Sequence, residues 1–179
     1  MTACPTLTTE RLVLRPLEES DLDAYTDMLL EPAVRRSLRL PRTYSRSDAW
    51  RGIAQWRGQW ELRGSGQWAV TDRSTGEFVG RAGLHRPEVA DWPGLEVGWA
   101  LRSVHWGKGY ATEAARRSVA YAFDDIEADE VFSIILPENE RSQAVARRVG
   151  LSLVDVRVLS SFPDTAHGIW RLGRDGWQP

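Results

Sequence analysis

Apolar and polar residues interleave across Arg11–Leu17 (RLVLRPL), with Leu12 and Leu14 set against Arg11 and Arg15, which predicts a strand. Glu18-Glu19-Ser20-Asp21 then supplies acid-rich capping chemistry. Leu22, Tyr25, Met28 and Leu29 follow at helical spacing, and Pro32 is expected to stop that helix. Ser45-Arg46-Ser47-Asp48 opens a second helix, in which Ala49, Ile53, Trp56 and Trp60 share one face. That tryptophan stripe reads as core rather than as the wall of a ligand pocket. Gly64 and Gly66 end the helix. Gln67–Asp72 and Phe78–His85 read as two strands joined through Arg73-Ser74-Thr75-Gly76, a hairpin. After the turn Ala90–Gly94, Leu95–Leu101 is a short strand, and its Gly98 predicts a bulge or a close backbone approach. Ala111, Ala115, Val119, Ala122 and Phe123 form a helical stripe that runs to Asp124. Val131–Leu136 is an apolar, β-branched run expected as a buried strand. Pro137-Glu138-Asn139 opens a helix to about Val149, capped by Gly150. Leu151–Val158 and Ile169–Leu172 close the chain as strands. The order β-α-α-β-β-β-α-β-α-β-β predicts one α/β domain with a mixed sheet.

Bulk properties narrow the picture only a little. A chain of 179 residues suits one domain and can bury roughly two-thirds of its unfolded surface. The net charge of −2 comes from interspersed signs with no basic block, so neither nucleic acid nor membrane is an expected partner. The single cysteine, Cys4, excludes an internal disulfide, fits a reducing compartment, and reads as an inert thiol. The opening MTACPTLTTERLVLRP lacks the charged start and apolar centre of a secretory signal, and no apolar run nears the roughly 18 residues of a membrane span. The expected location is cytoplasmic.

The candidate chemistry centres on His105–Ala114, HWGKGYATEA. Two glycines flank Lys108 directly before a helical run, a pattern that suits a tight backbone presenting N–H groups to an anion. A nucleotide-triphosphate loop needs GxxxxGK and a hydroxyl residue, and here Lys108 precedes Gly109. A dinucleotide fingerprint needs a third glycine where Thr112 stands. His85, His105 and His167 are scattered with no HxxxH or CxxC pair, so no metal site is expected. Gly64-Ser65-Gly66 lacks the spacing of a hydrolase nucleophile elbow.

Trp106-Gly107-Lys108-Gly109-Tyr110-Ala111 resembles the acyl-CoA loop of the GNAT N-acetyltransferase superfamily, with Trp106 at the usual Arg/Gln position. Two further motifs agree. Asn139-Glu140-Arg141-Ser142, with Val149-Gly150-Leu151 eight residues beyond, is similar to the family's NxxS helix, and the opening TTERLVLRPL is typical of the branch that includes ribosomal-protein N-terminal acetyltransferases. The resemblance covers nearly the whole chain. It implies a single GNAT-like domain over residues 7–176: a mixed, mostly antiparallel sheet of about seven strands, splayed at the cofactor site and flanked by about four helices. It also implies transfer of an acetyl group from acetyl-CoA to a primary amine, on a protein N-terminus or a small molecule, by direct attack in a ternary complex. A non-catalytic CoA-binding sensor or interaction module is the alternative, suggested by the missing downstream tyrosine.

The resemblance implies roles residue by residue. Backbone N–H groups of Gly107, Lys108, Gly109, Tyr110, Ala111 and Thr112, beside Trp106, are expected to hold the CoA pyrophosphate. Leu101 is expected to offer its backbone N–H and C=O to pantetheine, and the N–H of Trp99 or Ala100 to polarise the thioester carbonyl. The Asn139 amide is expected on pantetheine, with a helix cap as its other role. Glu96 is the candidate base. It suits an α-amine, whose pKa near 8 makes deprotonation far easier than at a lysine near 10.4. No tyrosine follows Asn139, so Ser142 is the candidate proton donor to the thiolate. Glu113 and Arg116, three apart on a helix, read as an ion pair. The acceptor groove is expected near Arg35, Arg36, Trp56, Trp60 and His167. Monomer and homodimer are both expected states, exposed tryptophans offering a dimer face.

Overall fold

The computed structural model describes residues 4–178, so Met1–Ala3 of the opening stretch lie outside the described residues. Strands β1 (Leu7–Thr8) and β2 (Leu12–Pro16) form a small antiparallel turn. A 3-10 turn at Glu19–Asp21 then leads into α1 (Leu22–Leu30). Asp21 is 5% exposed. It takes a forked pair of hydrogen bonds from Arg15 at 2.8 and 2.6 Å and another from the Glu18 N–H, so the acid-rich stretch caps and pins the helix start together. Pro32 ends α1 as expected, yet it also begins α2 (Pro32–Leu38). A proline at the first helical position loses no hydrogen bond and has φ preset, so the same residue is both stop and start. Helix α3 (Arg46–Arg63) starts at a capping box in which the Ser45 N–H donates to Asp48 at 2.9 Å, and it ends at Gly64 in the left-handed region.

Strands β3 (Gln67–Asp72), β4 (Phe78–His85) and β5 (Glu96–Leu101) form the central meander. Helix α4 (Tyr110–Asp124), β6 (Glu130–Ile135), α5 (Glu140–Val149), β7 (Ser152–Leu159) and β8 (Phe162–Gly173) complete the chain. The sheet order is β1-β2-β3-β4-β5-β6-β8-β7, antiparallel except between β5 and β6. The expected α/β fold with a mostly antiparallel sheet is therefore present, with eight strands and five helices among the described residues rather than about seven and four. The additions are the two-residue β1 and the proline-started α2.

Strand alternation separates two cores. Trp68, Ala82, Leu84, Val97 and Leu101 point to the α4–α5 side, where they meet Ala115, Val119, Ala122 and Ala146. Ala69, Phe78 and Ala100 point to the other side, under Leu22, Tyr25, Met28, Val34 and Ile53 of α1–α3. The bulge expected at Gly98 is absent: β4 and β5 pair without interruption from Gly80↔Leu101 to His85↔Glu96. The irregularity lies in β3, between Val70 and Thr71. A Cβ on Gly98 would stand 3.6 Å from Gln67 Nε2, an ordinary contact. That glycine therefore leaves space rather than shaping the backbone. On the opposite edge, Val154, Val156 and Val158 of β7 are exposed, as is Trp50 of α3.

Candidate active site

Strands β5 and β6 meet at one parallel register point, Glu96↔Phe132, anchored by the Phe132 N–H donating to the Leu95 carbonyl at 2.8 Å, and then diverge. Arg102 N–H donates to the Val79 carbonyl at 2.9 Å on the β4 side. Bonded pairs alternate along an antiparallel ladder, so Arg81/Ala100 is also a bonded pair. Trp99 and Leu101 turn their backbone groups to the opening. Of the two donors left open by the sequence, the Ala100 N–H is committed to β4, and the Trp99 N–H faces the gap. The Leu101 carbonyl accepts from the Trp106 indole N–H at 2.9 Å, which occupies one of its two lone pairs, and its N–H has no partner in the strand pairing with β4.

The glycine loop sits at the mouth of this gap. Gly107 and Gly109 have φ of 77° and 82°, left-handed values that residues with a Cβ rarely adopt. Gly109 is the N-cap of α4 and has no side chain to occupy the first-turn N–H groups, which stay open to an anion. The loop is braced from outside. Arg11 Nη1 donates to the Lys108 carbonyl at 2.9 Å, and its guanidinium lies over the Tyr110 ring. Tyr110 donates its hydroxyl to Asp72 at 2.9 Å. Asp72 also accepts from Ser74 and Thr75, and these bonds hold its carboxyl well below the usual range. Arg141 stacks on Trp106. Trp106 thus spends its polar atom on the strand and its face on α5.

Glu113 does not pair with Arg116. It pairs with Arg11 at 2.6 Å and accepts from Thr9 at 2.6 Å, while Arg116 donates to the Arg148 and Gln178 carbonyls. The long-range partner wins because it adds backbone and side-chain donors to the charge. Burial pushes the Glu113 carboxyl up, but hydrogen bonds from Thr9 and Arg11 outweigh it and hold it below its ordinary value.

A cleft of about 1080 Å³ runs along the loop. Its walls include Trp99, Ala100, Leu101, Trp106, Gly107, Lys108, Gly109, Tyr110, Ala111, Thr112, Asn139 and Ser142, every residue expected to hold the cofactor. Arg36, Arg141 and Arg148 also line it. Sequence reasoning placed Arg36 in the acceptor groove and missed Arg141 and Arg148, although these two stand two helical turns apart on one face of α5.

A second bay, about 600 Å³, opens on the α1–α3 side. Glu96 lines it, and Glu96 Oε2 lies 3.3 Å from His85 Nδ1. No motif marks His85 as its partner, though the hairpin register that sets it opposite Glu96 follows from strand lengths. His85 packs edge-on against Trp56 and Trp92. Trp56 and His167 line this bay as expected. The other expected groove residues lie elsewhere. Arg36 faces the first cleft, Arg35 donates to the Pro41 carbonyl, and Trp60 is 3% exposed with its N–H on the Gln67 carbonyl. Trp56 is therefore both core and wall. Ser37, Trp99, Leu136, Asn139 and Ser142 line both cavities, so the two adjoin there. Asn139 Oδ1 caps α5 by accepting from the Ser142 N–H at 3.1 Å, which leaves the Asn139 amide N–H groups free to donate. Cys4 stands apart, its thiol pushed up to about 12 mainly by burial. Among the described residues no three His, Cys, Asp or Glu side chains cluster as metal ligands, and no helix is long and apolar enough to cross a membrane.

Residues 11–152 match the family model described as an acetyltransferase (GNAT) domain. The crystal structure of an acetyltransferase from Agrobacterium tumefaciens is 33% identical, with 96% of each chain covered and a TM-score of 0.84. The FsC-acetyl coenzyme A-N(2)-transacetylase of Aspergillus fumigatus is 30% identical over 86% of this chain and 67% of its own length. The ribosomal-protein-S5-alanine acetyltransferase of Vibrio fischeri shares the fold at 17% identity, with 98% of this chain and 100% of its own covered and a TM-score of 0.72.

Proposed function

Since the chain belongs to the GNAT acetyltransferase family, we propose that it transfers an acetyl group from acetyl-CoA to a primary amine by direct attack, both substrates being bound at once. Its membership makes it an acetyltransferase, which sets aside the non-catalytic module. The observation that carries the reading is the meeting of the two cavities at Trp99, Leu136, Asn139 and Ser142, with the glycine loop on one side and Glu96 on the other.

The residues fit a CoA thioester. The open N–H groups at the start of α4 and the surrounding arginines suit its phosphates. Each hydrogen bond to a charged group contributes about 1.5–3 kcal/mol. The Leu101 N–H and the Asn139 amide suit the pantetheine arm. When bound, acetyl-CoA supplies the activated acetyl group. The Trp99 N–H then lies where it can stabilise negative charge developing on the carbonyl oxygen. Glu96 accepts the proton that the amine must lose, and His85 on its other oxygen fixes the carboxylate. The Ser142 hydroxyl donates to the departing thiolate. The acceptor is a small-molecule amine or a protein N-terminus, and one chain carries both cavities, so a monomer or a homodimer would serve. The lone, half-buried thiol supports a cytoplasmic setting.

Thermal unfolding with acetyl-CoA, ATP and NAD tests the donor. Saturation at a hundred times Kd raises the midpoint by roughly 5–10 °C for a chain of this size. The expected result is a shift with acetyl-CoA alone, followed by CoA release in a screen of amines. No shift at saturating acetyl-CoA would overturn the reading.

A further inference from the structure

The acceptor bay carries opposite charges that are not paired with each other. Alternation sets Arg81, Gly83 and His85 of β4 on the α1–α3 face, opposite Ala100, Gly98 and Glu96 of β5. Arg81 Nη1 donates to Gln67 Oε1 at 3.0 Å, and the guanidinium lies over the Trp56 ring, 5.2 Å from its centroid. Gln67 is 1% exposed, so the guanidinium is held by a side chain with little freedom to move. Arg81 Nε is buried with no hydrogen-bond partner. Arg11, Arg15, Arg39 and Arg102 each face a carboxylate, and Arg81 has none among the described residues. Asp48, also in the bay, is taken by Ser45 and Arg51. Arg81 is half-buried, its guanidinium faces the bay with no carboxylate on it, and its fork matches a carboxylate. Tyr44 lines the bay as well. Burial pushes its hydroxyl up to about 12, so it remains a donor at neutral pH.

The negative end comes close. The Cβ position of Gly98 lies 3.6 Å from Gln67 Nε2 and 3.8 Å from Glu96 Oε1, so the arginine's anchor and the candidate base converge over one bare glycine. A cation and a carboxylate set over such a floor complement a molecule with one carboxylate and one ammonium a short distance apart. They do not complement a polyamine, whose every charge Arg81 would repel.

We infer that the acceptor is an amino-acid-like zwitterion, its carboxylate docked on Arg81 beside Gln67 and Tyr44 and its amine directed to Glu96. The inference rests on the acetyltransferase reading above and names its acceptor class. The aromatic walls, Trp56, Trp92 and Phe162, favour an apolar side chain.

The test is calorimetric titration of the full chain, with and without CoA, using L-phenylalanine, L-phenylalaninamide and 2-phenylethylamine, the corresponding leucine series, and spermidine. The amino acids are expected to bind at least tenfold more tightly than their amides and decarboxylated amines. Arg81→Gln should abolish that preference, and Arg81→Lys should retain part of it. Unchanged acetyl-CoA binding by both variants shows that the fold survives. Binding of no amino acid, equal or tighter binding of the amides or spermidine, or an intact preference in Arg81→Gln would overturn the inference. A wild-type chain that neither binds nor consumes acetyl-CoA would instead overturn the transferase reading, whatever the acceptor titrations give.

Discussion

The proposed cofactor cleft and the proposed acceptor bay are built on different plans. In the proposed reading the cleft recognises its ligand largely through backbone, the N–H groups around Gly107–Thr112 and those of Trp99 and Leu101, with Asn139 and the arginines beside them. Its side chains mostly brace, as Arg11, Tyr110 and Trp106 do. The bay takes its chemistry from side chains on separate strands and helices: Gln67, Arg81, His85, Glu96 and Trp56. A backbone site tolerates drift in most side chains, because peptide groups are common to every residue. A side-chain site changes its ligand whenever one member changes. The contrast explains how one donor cleft can be joined to differing acceptors.

The largest effect should fall on the bay. Glu96→Gln should lower kcat by about 10²–10⁴-fold, the usual range for a general base, while leaving the Kd for acetyl-CoA unchanged in direct titration. If both parameters move together, the two regions are not separable. Next, Gly109→Val puts a branched Cβ at φ 82°, 3.2 Å from Arg11 Nη2. Losing one or two charge-assisted bonds should weaken acetyl-CoA binding by about 10²-fold, with acceptor binding retained. Glu113→Ala should cost about 2 kcal/mol in urea unfolding, since Thr9 and the Arg11 backbone lose their acceptor. It should also loosen acetyl-CoA, because Arg11 holds the loop.

The smallest effect concerns His167 in the bay. Burial lowers its pKa from 6.5 despite a backbone bond at Thr165. The unfolded chain therefore takes up the proton first. The associated stability is present above pH 6.5 and declines as pH falls through that value toward the lower folded pKa. His167→Gln should flatten the midpoint-versus-pH curve in that window, beside a pH-independent offset from the lost packing on Phe162.

The same contrast governs what can be read from the sequence. The cleft lies on contiguous motifs, so the loop residues, Asn139 and Ser142 stand out from the order of residues alone, and all of them line it. Strand and helix positions are likewise legible from periodicity, β3 and β4 to the residue. Pro32 misleads because one residue carries both a stop and a start signal. Glu113 misleads because a local rule offers Arg116 while the fold supplies Arg11 from 102 residues away. The bay is least legible. Arg81 and Gln67 meet only through strand pairing, and nothing in QWAVTD or FVGRAGLH marks them as partners.

Tryptophan placement gives this chain a built-in optical readout. Trp106 lines the cleft, Trp56 and Trp92 line the bay, and Trp99 faces both. Indole emission responds to polarity and to nearby quenchers, so each substrate should leave its own trace as it enters. Trp106→Phe would remove the indole that only the cleft holds, and Trp56→Phe with Trp92→Phe those that only the bay holds, leaving Trp99 as the shared reporter. Stopped-flow emission could then time the arrival of donor and acceptor separately, with no label attached to either.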